Sequence, residues 1–291
     1  MTWNECLSDA EKKLHEAGLE DARINAEYLC AHVLGYKNRR DLRTHRQLDV
    51  VKKEADEFEK LLARRMAREP LQYILEEWEF YGIPIELNPS VLIPRPETEI
   101  LVEQALQEAK KYSGSISILD IGTGSGCIAI ALAKHLPNAN VLGIDKSEGA
   151  IKLAAINGQR NARRSGNDNL KFRVDDLFDT RWETSENMFD LIVSNPPYIS
   201  KTDFESLEPE LRLYEPRQAL TDESDGLRFY KRIAEVAPRL LKKNGKLLTE
   251  IGFGMANDVS TIVKNAGLDI LRIENDLAGI PRVIVAEVKN Y

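Results

Sequence analysis

The chain has 291 residues, 43% of them hydrophobic and 30% charged, with a formal net charge of −7. This length suits one large or two ordinary domains with a sizeable core, and no apolar run is long enough to cross a membrane. The negative balance argues against broad, phosphate-driven binding of nucleic acid. Residues 1–75 nonetheless hold acidic and basic side chains in equal number, which leaves room for a local basic site.

The first residues, Met1-Thr2-Trp3-Asn4-Glu5, have neither a basic n-region nor an apolar h-region, so no signal peptide is expected. Residues 1–75 are expected to form a small helical domain. Leu7, Ala10, Leu14 and Ala17 fall on one face of a first helix, and Gly18 ends it. Asp21 is placed to cap a second helix carrying Ile24, Tyr28, Leu29 and Val33, which Gly35 stops. A further long helix runs from about Val50 to Arg68, with Pro70 just beyond it. Between them lie Lys37, Arg39, Arg40, Arg43, His45 and Arg46. These form either a solvated charged surface or a docking patch for an acidic or RNA-associated partner. Cys6, Cys30 and Cys127 are scattered and odd in number, and neither they nor His15, His32, His45 and His135 show metal-ligand spacing. A reducing, cytoplasmic setting without a bound metal is expected.

Residues 76–95 read as a β-hairpin linker, with Gly82 near the turn of Trp78–Leu87. The run Ile93-Pro94-Arg95-Pro96-Glu97-Thr98-Glu99 brackets an arginine with prolines ahead of a helix carrying Ile100, Leu101, Ala105 and Leu106. Ordinary helix-start chemistry accounts for this composition. The functional alternative is a rigid lip that sets Arg95 and Glu97 beside a ligand.

From residue 115 strands and helices alternate. Strands are expected at Ser117–Ile121, Asn140–Ile144, Leu170–Val174, Phe189–Ser194 and Lys246–Ile251, and helices at Cys127–His135, Glu148–Arg163, Leu227–Leu241 and Met255–Ala266. Asp269–Glu274 and Arg282–Val288 follow one another without a helix and suit an antiparallel hairpin at a sheet edge. The order implies an α/β fold with a mostly parallel sheet, whose ligand site lies at the C-terminal ends of the strands.

The first of these strands runs into Asp120-Ile121-Gly122-Thr123-Gly124-Ser125-Gly126, where alternate glycines let the backbone turn sharply and approach a ligand. Counted from Gly124, the sixth place is Ala129, so the loop alone leaves a nicotinamide cofactor open. The next strand ends at Asp145, placed to accept both ribose hydroxyls of an adenosine. Asp175-Asp176-Leu177 follows the third, offering a carboxylate to an adenine amino group and Leu177 to the ring, or a simple helix cap. No Lys or Arg stands in the glycine loop to hold a phosphate, so the acidic mouth suits a cationic adenosyl sulfonium better than a pyrophosphate.

Asn195-Pro196-Pro197-Tyr198 follows the strand Phe189–Ser194. Two prolines end the strand, stiffen the loop and donate no backbone N–H. The carbonyls of Asn195 and Pro196, the Asn195 side chain and the flat face of Tyr198 can together hold a planar NH₂ group. Taken alone, the run is also compatible with a plain strand-ending loop. The long segment Ile199–Asp225 has little regular pattern and is expected to form part of the wall over a substrate.

The glycine loop together with Asn195-Pro196-Pro197-Tyr198 resembles the class I S-adenosylmethionine-dependent methyltransferases that act on a planar nitrogen. The helical N-terminal domain, Ile93–Glu99 and Tyr214-Glu215-Pro216-Arg217-Gln218-Ala219-Leu220 narrow the resemblance to the HemK/PrmC family, which methylates the glutamine of the Gly-Gly-Gln motif in peptide-chain release factors. The resemblance runs over nearly the whole chain. It implies a Rossmann-like catalytic domain over residues 96–291, mostly parallel with an antiparallel edge strand, and a docking role for residues 1–75. It implies S-adenosylmethionine as cofactor, S-adenosylhomocysteine as product, class I release factors as partners, a monomer, and no direct binding of nucleic acid. Asp120, Gly122, Thr123, Gly124, Ser125, Gly126, Asp145, Asp176, Leu177 and Asn195 would hold the cofactor. Arg95, Glu97, Asn195, Pro196, Pro197 and Tyr198 would hold the substrate, the last four also serving catalysis. The same pocket could grip the amino group of an adenine in RNA or DNA, or another protein glutamine or lysine. A cofactor-binding adaptor without catalysis is the reading from a different class.

Overall fold

The computed structural model of the chain describes residues 1–36, 38–44, 47–165, 169–180, 186 and 188–289, without the side chains of 43–44 and 162–165. It comprises two compact units, Met1–Glu77 with Glu208–Tyr214, and Trp78–Leu207 with Glu215–Tyr291.

The first unit is helical: α1 (Trp3–Glu16), α2 (Ala22–Val33), a 3-10 turn (Arg39–Thr44), α3 (Lys52–Met66) and α4 (Leu71–Leu75). A capping box starts α1, with Thr2 N donating to Glu5 Oε2 at 2.8 Å and Glu5 N to Thr2 Oγ1 at 3.4 Å. Trp3, Cys6, Leu7, Ala10 and Leu14 form its buried face, and the Trp3 ring meets Phe58 of α3 edge-to-face at 5.6 Å. The buried face of α2 differs from the expected one. It is made of Ala22, Asn25, Ala26, Leu29 and Cys30, whereas Ile24 is exposed and Tyr28 and Val33 only half-buried. This face is mostly small and apolar, and its one amide is satisfied there, Arg65 of α3 donating to Asn25 Oδ1 at 2.7 Å. Asp21 does occupy the position ahead of α2, but its carbonyl rather than its side chain is engaged, accepting from Asn25 N and Nδ2. Glu210, in the returning segment, pairs with Arg65 at 3.3 Å and Arg68 at 2.7 Å. Of the basic cluster, Lys37, His45 and Arg46 lie outside the described residues. Arg39 is paired with Glu27 at 2.9 Å and sits over the Tyr28 ring.

The second unit opens with a hairpin, β1 (Glu77–Phe80) and β2 (Ile83–Glu86), whose turn residues Tyr81 and Gly82 both have positive φ. There follow α5 (Thr98–Ala109), β3 (Ile116–Ile121), α6 (Cys127–His135), β4 (Ala139–Asp145), α7 (Glu148–Ser165), β5 (Leu170–Val174) and β6 (Phe189–Ser194). Then come α8 (Lys201–Phe204), α9 (Pro209–Tyr214, which belongs to the first unit), α10 (Arg217–Leu220), α11 (Arg228–Leu240), β7 (Leu241–Glu250), α12 (Ala256–Asn265), β8 (Leu268–Asn275) and β9 (Pro281–Val288). The seven-stranded sheet has the order β5-β4-β3-β6-β7-β9-β8. The pairs among β5, β4, β3, β6 and β7 are parallel, and β9 runs antiparallel to both β7 and β8. The chain leaves β3 toward β4 on one side and returns to β6 on the other, so a crevice opens at the C-terminal ends of β3, β4 and β6. Every residue of β6 is buried, as a central parallel strand requires.

The segment 199–225 is not the irregular loop expected. It holds the short helices α8, α9 and α10, and Asp222 organises its end by accepting the N–H groups of Ser224, Gly226 and Arg228 at 2.7, 3.0 and 2.9 Å. No helix among the described residues is long and apolar enough to cross a membrane.

Candidate active site

The loop after β3 folds back on β4: the N–H groups of Gly122 and Thr123 both donate to the Ile144 carbonyl at 2.9 Å. Thr123 Oγ1 donates to Asp120 Oδ2 at 2.6 Å behind the loop. Asp120 is fully buried, and desolvation pushes its carboxyl up to about 7. Gly122 and Gly124 have φ of +74° and +55°, and a Cβ at either would meet no atom within 4 Å. Both line the cleft, so side chains here would protrude into the space they leave open. Thr123, Ser125 and Gly126 are buried behind that wall. Asn157 of α7 fixes the loop from below: its Nδ2 donates to the carbonyls of Ser125 and Glu86, both at 3.0 Å, and its Oδ1 accepts from Glu86 N at 2.7 Å.

The acids expected at the strand ends line the same cleft. Asp145 accepts from Gly124 N at 3.0 Å through Oδ2 and from Ser147 N at 2.9 Å through Oδ1, and burial raises its pKa. Each oxygen keeps further acceptor capacity. Asp176 is exposed and accepts from Phe178 N at 2.9 Å; Leu177 is buried beside it. Phe229 and Ile233 of α11 complete the apolar side, and Gln218 and Ala219 of α10 close another.

At the end of β6, Ser194 Oγ donates to the Ile121 carbonyl at 2.8 Å and ties this strand to β3. Asn195, Pro196 and Pro197 then line the cleft. Asn195 Nδ2 donates to Thr98 Oγ1 at 3.0 Å, which leaves the side-chain oxygen as the arm not engaged by Thr98. No described residue donates a backbone hydrogen bond to the Pro196 carbonyl. Tyr198 is not part of the cleft wall. Its ring lies against Gly252, where a Cβ would come within 2.9 Å of the ring, and burial pushes its hydroxyl up to about 12. Arg95 and Glu97 also stand outside the wall, near enough for their charges to act on Tyr198. Arg95 is held by Glu215, whose Oε1 takes its Nη2 at 2.5 Å while Oε2 accepts from Ile93 N at 3.1 Å. A buried acid 120 residues away thus ties this run down.

Thr98, Glu215, Gln218, Phe229 and Asn157 are the residues to which pattern reading gives no individual role. Phe229 and Ile233 belong to a strongly amphipathic helix, which signals core before it signals a ligand. Glu215 and Gln218 sit in the run noted only for its resemblance. Among the described residues no group of three His, Cys, Asp or Glu is placed to hold a metal.

Residues 5–75 match the family described as the PrmC N-terminal domain, and residues 113–265 match a methyltransferase domain. The release factor glutamine methyltransferase of Geobacter sulfurreducens is 45% identical over 271 residues, covering 93% of this chain and 91% of that one. That of Fusobacterium nucleatum is 43% identical over 275 residues, covering 94% of this chain and 75% of that one. That of Thermodesulfovibrio yellowstonii is 42% identical over 240 residues, covering 82% of this chain and 84% of that one. The chain belongs to the release factor glutamine methyltransferase family. It is a methyltransferase, and its cofactor is S-adenosylmethionine. The cleft fits that group on its own chemistry. Two glycines leave room where side chains would intrude, Asp145 and Asp176 offer acceptors and negative charge, and Phe229, Ile233 and Leu177 offer an apolar wall.

Proposed function

We propose that this protein methylates the side-chain amide nitrogen of the glutamine in the Gly-Gly-Gln motif of class I peptide chain release factors, with S-adenosylhomocysteine as the other product. The carrying observation is that Asn195 and Pro196 line the cleft together, with the Asn195 amide nitrogen already engaged by Thr98. A carboxamide nitrogen is a poor nucleophile because its lone pair is delocalised into the carbonyl. S-adenosylmethionine supplies an electrophilic methyl group on a sulfonium. Asn195 Oδ1 and the Pro196 carbonyl accept the two amide hydrogens, orient the nitrogen and draw electron density toward it. The rate then comes from positioning and preorganised dipoles more than from a strong base, and the proton leaves after transfer.

Each neutral hydrogen bond contributes about 0.5–1.5 kcal/mol net, and a buried acceptor left unpaired costs more, so groups lacking NH₂ are rejected. Asp145 and the glycine loop hold the adenosine end, Asp176 and Leu177 its base. The lip carrying Arg95 and Glu97, with Tyr198 behind it, borders the substrate side, and residues 1–75 serve docking. Such a partner places the reaction in the cytoplasm. Asn195→Ala is expected to lower the rate of release-factor methylation by about 10²-fold or more while cofactor affinity stays near wild type. Asp145→Ala is expected to weaken cofactor binding first. Equal losses of rate and of affinity in Asn195→Ala would overturn this assignment.

A further inference from the structure

The end of the sheet that opens into the cleft carries apolar side chains that the fold does not ask for. Among the described residues no large apolar side chain is more exposed than Leu277 and Phe253, at 110% and 77%. Each follows the end of a strand, in a tight turn. We propose that these two turns form a docking platform for the segment of the substrate protein that flanks the methylated glutamine. The proposal rests on the reading of that glutamine amide as the methyl acceptor.

The sheet order places both turns beside the acceptor loop. From β6, which runs into Asn195, the strands continue β7, β9 and β8. Because β9 is antiparallel to both neighbours, the ends of β7 and β8 lie at the same edge as the end of β6. Glu250 faces Val283, Asn275 faces Pro281, and Ile251 N donates to the Arg282 carbonyl at 2.7 Å. Neighbouring strands are about 4.8 Å apart, so Phe253 follows a strand adjacent to β6 and Leu277 follows one about 15 Å away. An extended chain of about five residues covers that span. The Tyr198 ring, in the loop that carries Asn195 and Pro196, already lies against Gly252 next to Phe253, so platform and acceptor loop are continuous.

Both turns are held by bonds that do not involve the exposed side chains. Met255 N donates to the Gly252 carbonyl at 3.1 Å, and Gly254, with φ of +78°, reverses the chain directly after Phe253. Asp276 Oδ1 accepts from Ala278 N at 2.9 Å and Ile280 N at 3.0 Å, while its Oδ2 accepts from Arg282 Nε at 2.8 Å. A polar residue at 253 or 277 would serve either turn as well. Charge is missing too. Residues 251–257 and 277–281 include no ionisable side chain in a chain that is 30% charged, and Asp276 and Arg282 at the border neutralise one another. One exposed apolar residue needs no explanation, but two on neighbouring turns of an uncharged surface have the composition of an interface core. Such a surface offers a phosphate backbone nothing, so its occupant is a polypeptide. The polypeptide that delivers a glutamine to Asn195 has to run past this edge.

The test uses the full chain, a purified class I release factor and S-adenosylmethionine. In the double variant Phe253→Ser with Leu277→Ser, KM for the release factor is expected to rise about tenfold or more, while kcat at saturating factor and the affinity for S-adenosylmethionine stay at the wild-type values. The thermal midpoint stays as well, because both side chains are already in water. In a second arm, Phe253→p-benzoylphenylalanine is irradiated with the same factor, and the cross-link is expected within about five residues of the motif glutamine. An unchanged KM in the double variant, a loss confined to kcat, or cross-links only to remoter segments would overturn the platform and leave the acceptor reading standing. A wild-type chain that methylates no release factor would overturn the acceptor reading, and the platform with it.

Discussion

Asp120 and Asp145 are both acids at strand ends beside one loop, and burial separates their roles. Asp145 lines the cleft with each oxygen already taking one backbone N–H. Asp120 is enclosed, its carboxyl raised from the ordinary 3.8 to about 7 by desolvation. A carboxyl raised in the folded state favours folding while it is neutral. That contribution is fully present below about 3.8 and is lost as pH rises through about 7. Asp120→Asn keeps the acceptor for Thr123 and cannot ionise. Thermal midpoints measured between about pH 5 and 8 are therefore expected to show the wild type losing ground to the variant as pH rises. A difference that stays constant with pH would contradict the burial argument. Asp120 and Asp145 were both visible in the sequence, since each ends a strand. Which of them faces a ligand was not, because that depends on how the glycine loop folds back onto Ile144.

Elements whose causes are local were legible in advance. Strands β3 to β6 and helices α6 and α7 follow from apolar runs, amphipathic spacing and glycine stops, and α6 lies at Cys127–His135 as expected. The segment 199–225 was not, because helices of four to six residues are shorter than the period that would reveal them. Of the α2 residues expected inward only Leu29 is buried, because small Ala22, Ala26 and Cys30 pack inside and Asn25 finds a partner in Arg65, 40 residues away. Two acids, Glu215 buried and Glu210 half-buried, carry testable consequences at this scale. Glu215→Ala leaves Ile93 N–H unpaired and Arg95 without its partner, so unfolding is expected to become easier by about 2–3 kcal/mol, read from the urea midpoint. In Glu210→Ala the guanidinium of Arg65, 10% exposed, loses its counter-charge. A similar cost of about 2–4 kcal/mol is expected for the helical unit, partly offset by the Asn25 and Glu69 acceptors that Arg65 keeps. A variant as stable as wild type in either case would mean that these pairs contribute nothing net.

Across the whole molecule, the two motifs that announce chemistry are loops after parallel strands, and the sheet order brings them to one crevice because β4 and β6 flank β3. Their composition is local, so the sequence alone exposed them. The groups that aim them are not local. Asn195 is held by Thr98, 97 positions earlier, at the start of another helix, and nothing local in either run joins the two. Relatives at 42–45% identity over most of the chain place it in one family, and the cleft has the shape and charge that family's cofactor needs. The measurement that tests this account most directly is transfer of a labelled methyl group from S-adenosylmethionine to a purified class I release factor, beside the same factor with the motif Gln changed to Ala, and beside total RNA and DNA. Label on the unaltered factor alone is the predicted result. Label on the Gln→Ala factor or on nucleic acid, with none dependent on that glutamine, would contradict it.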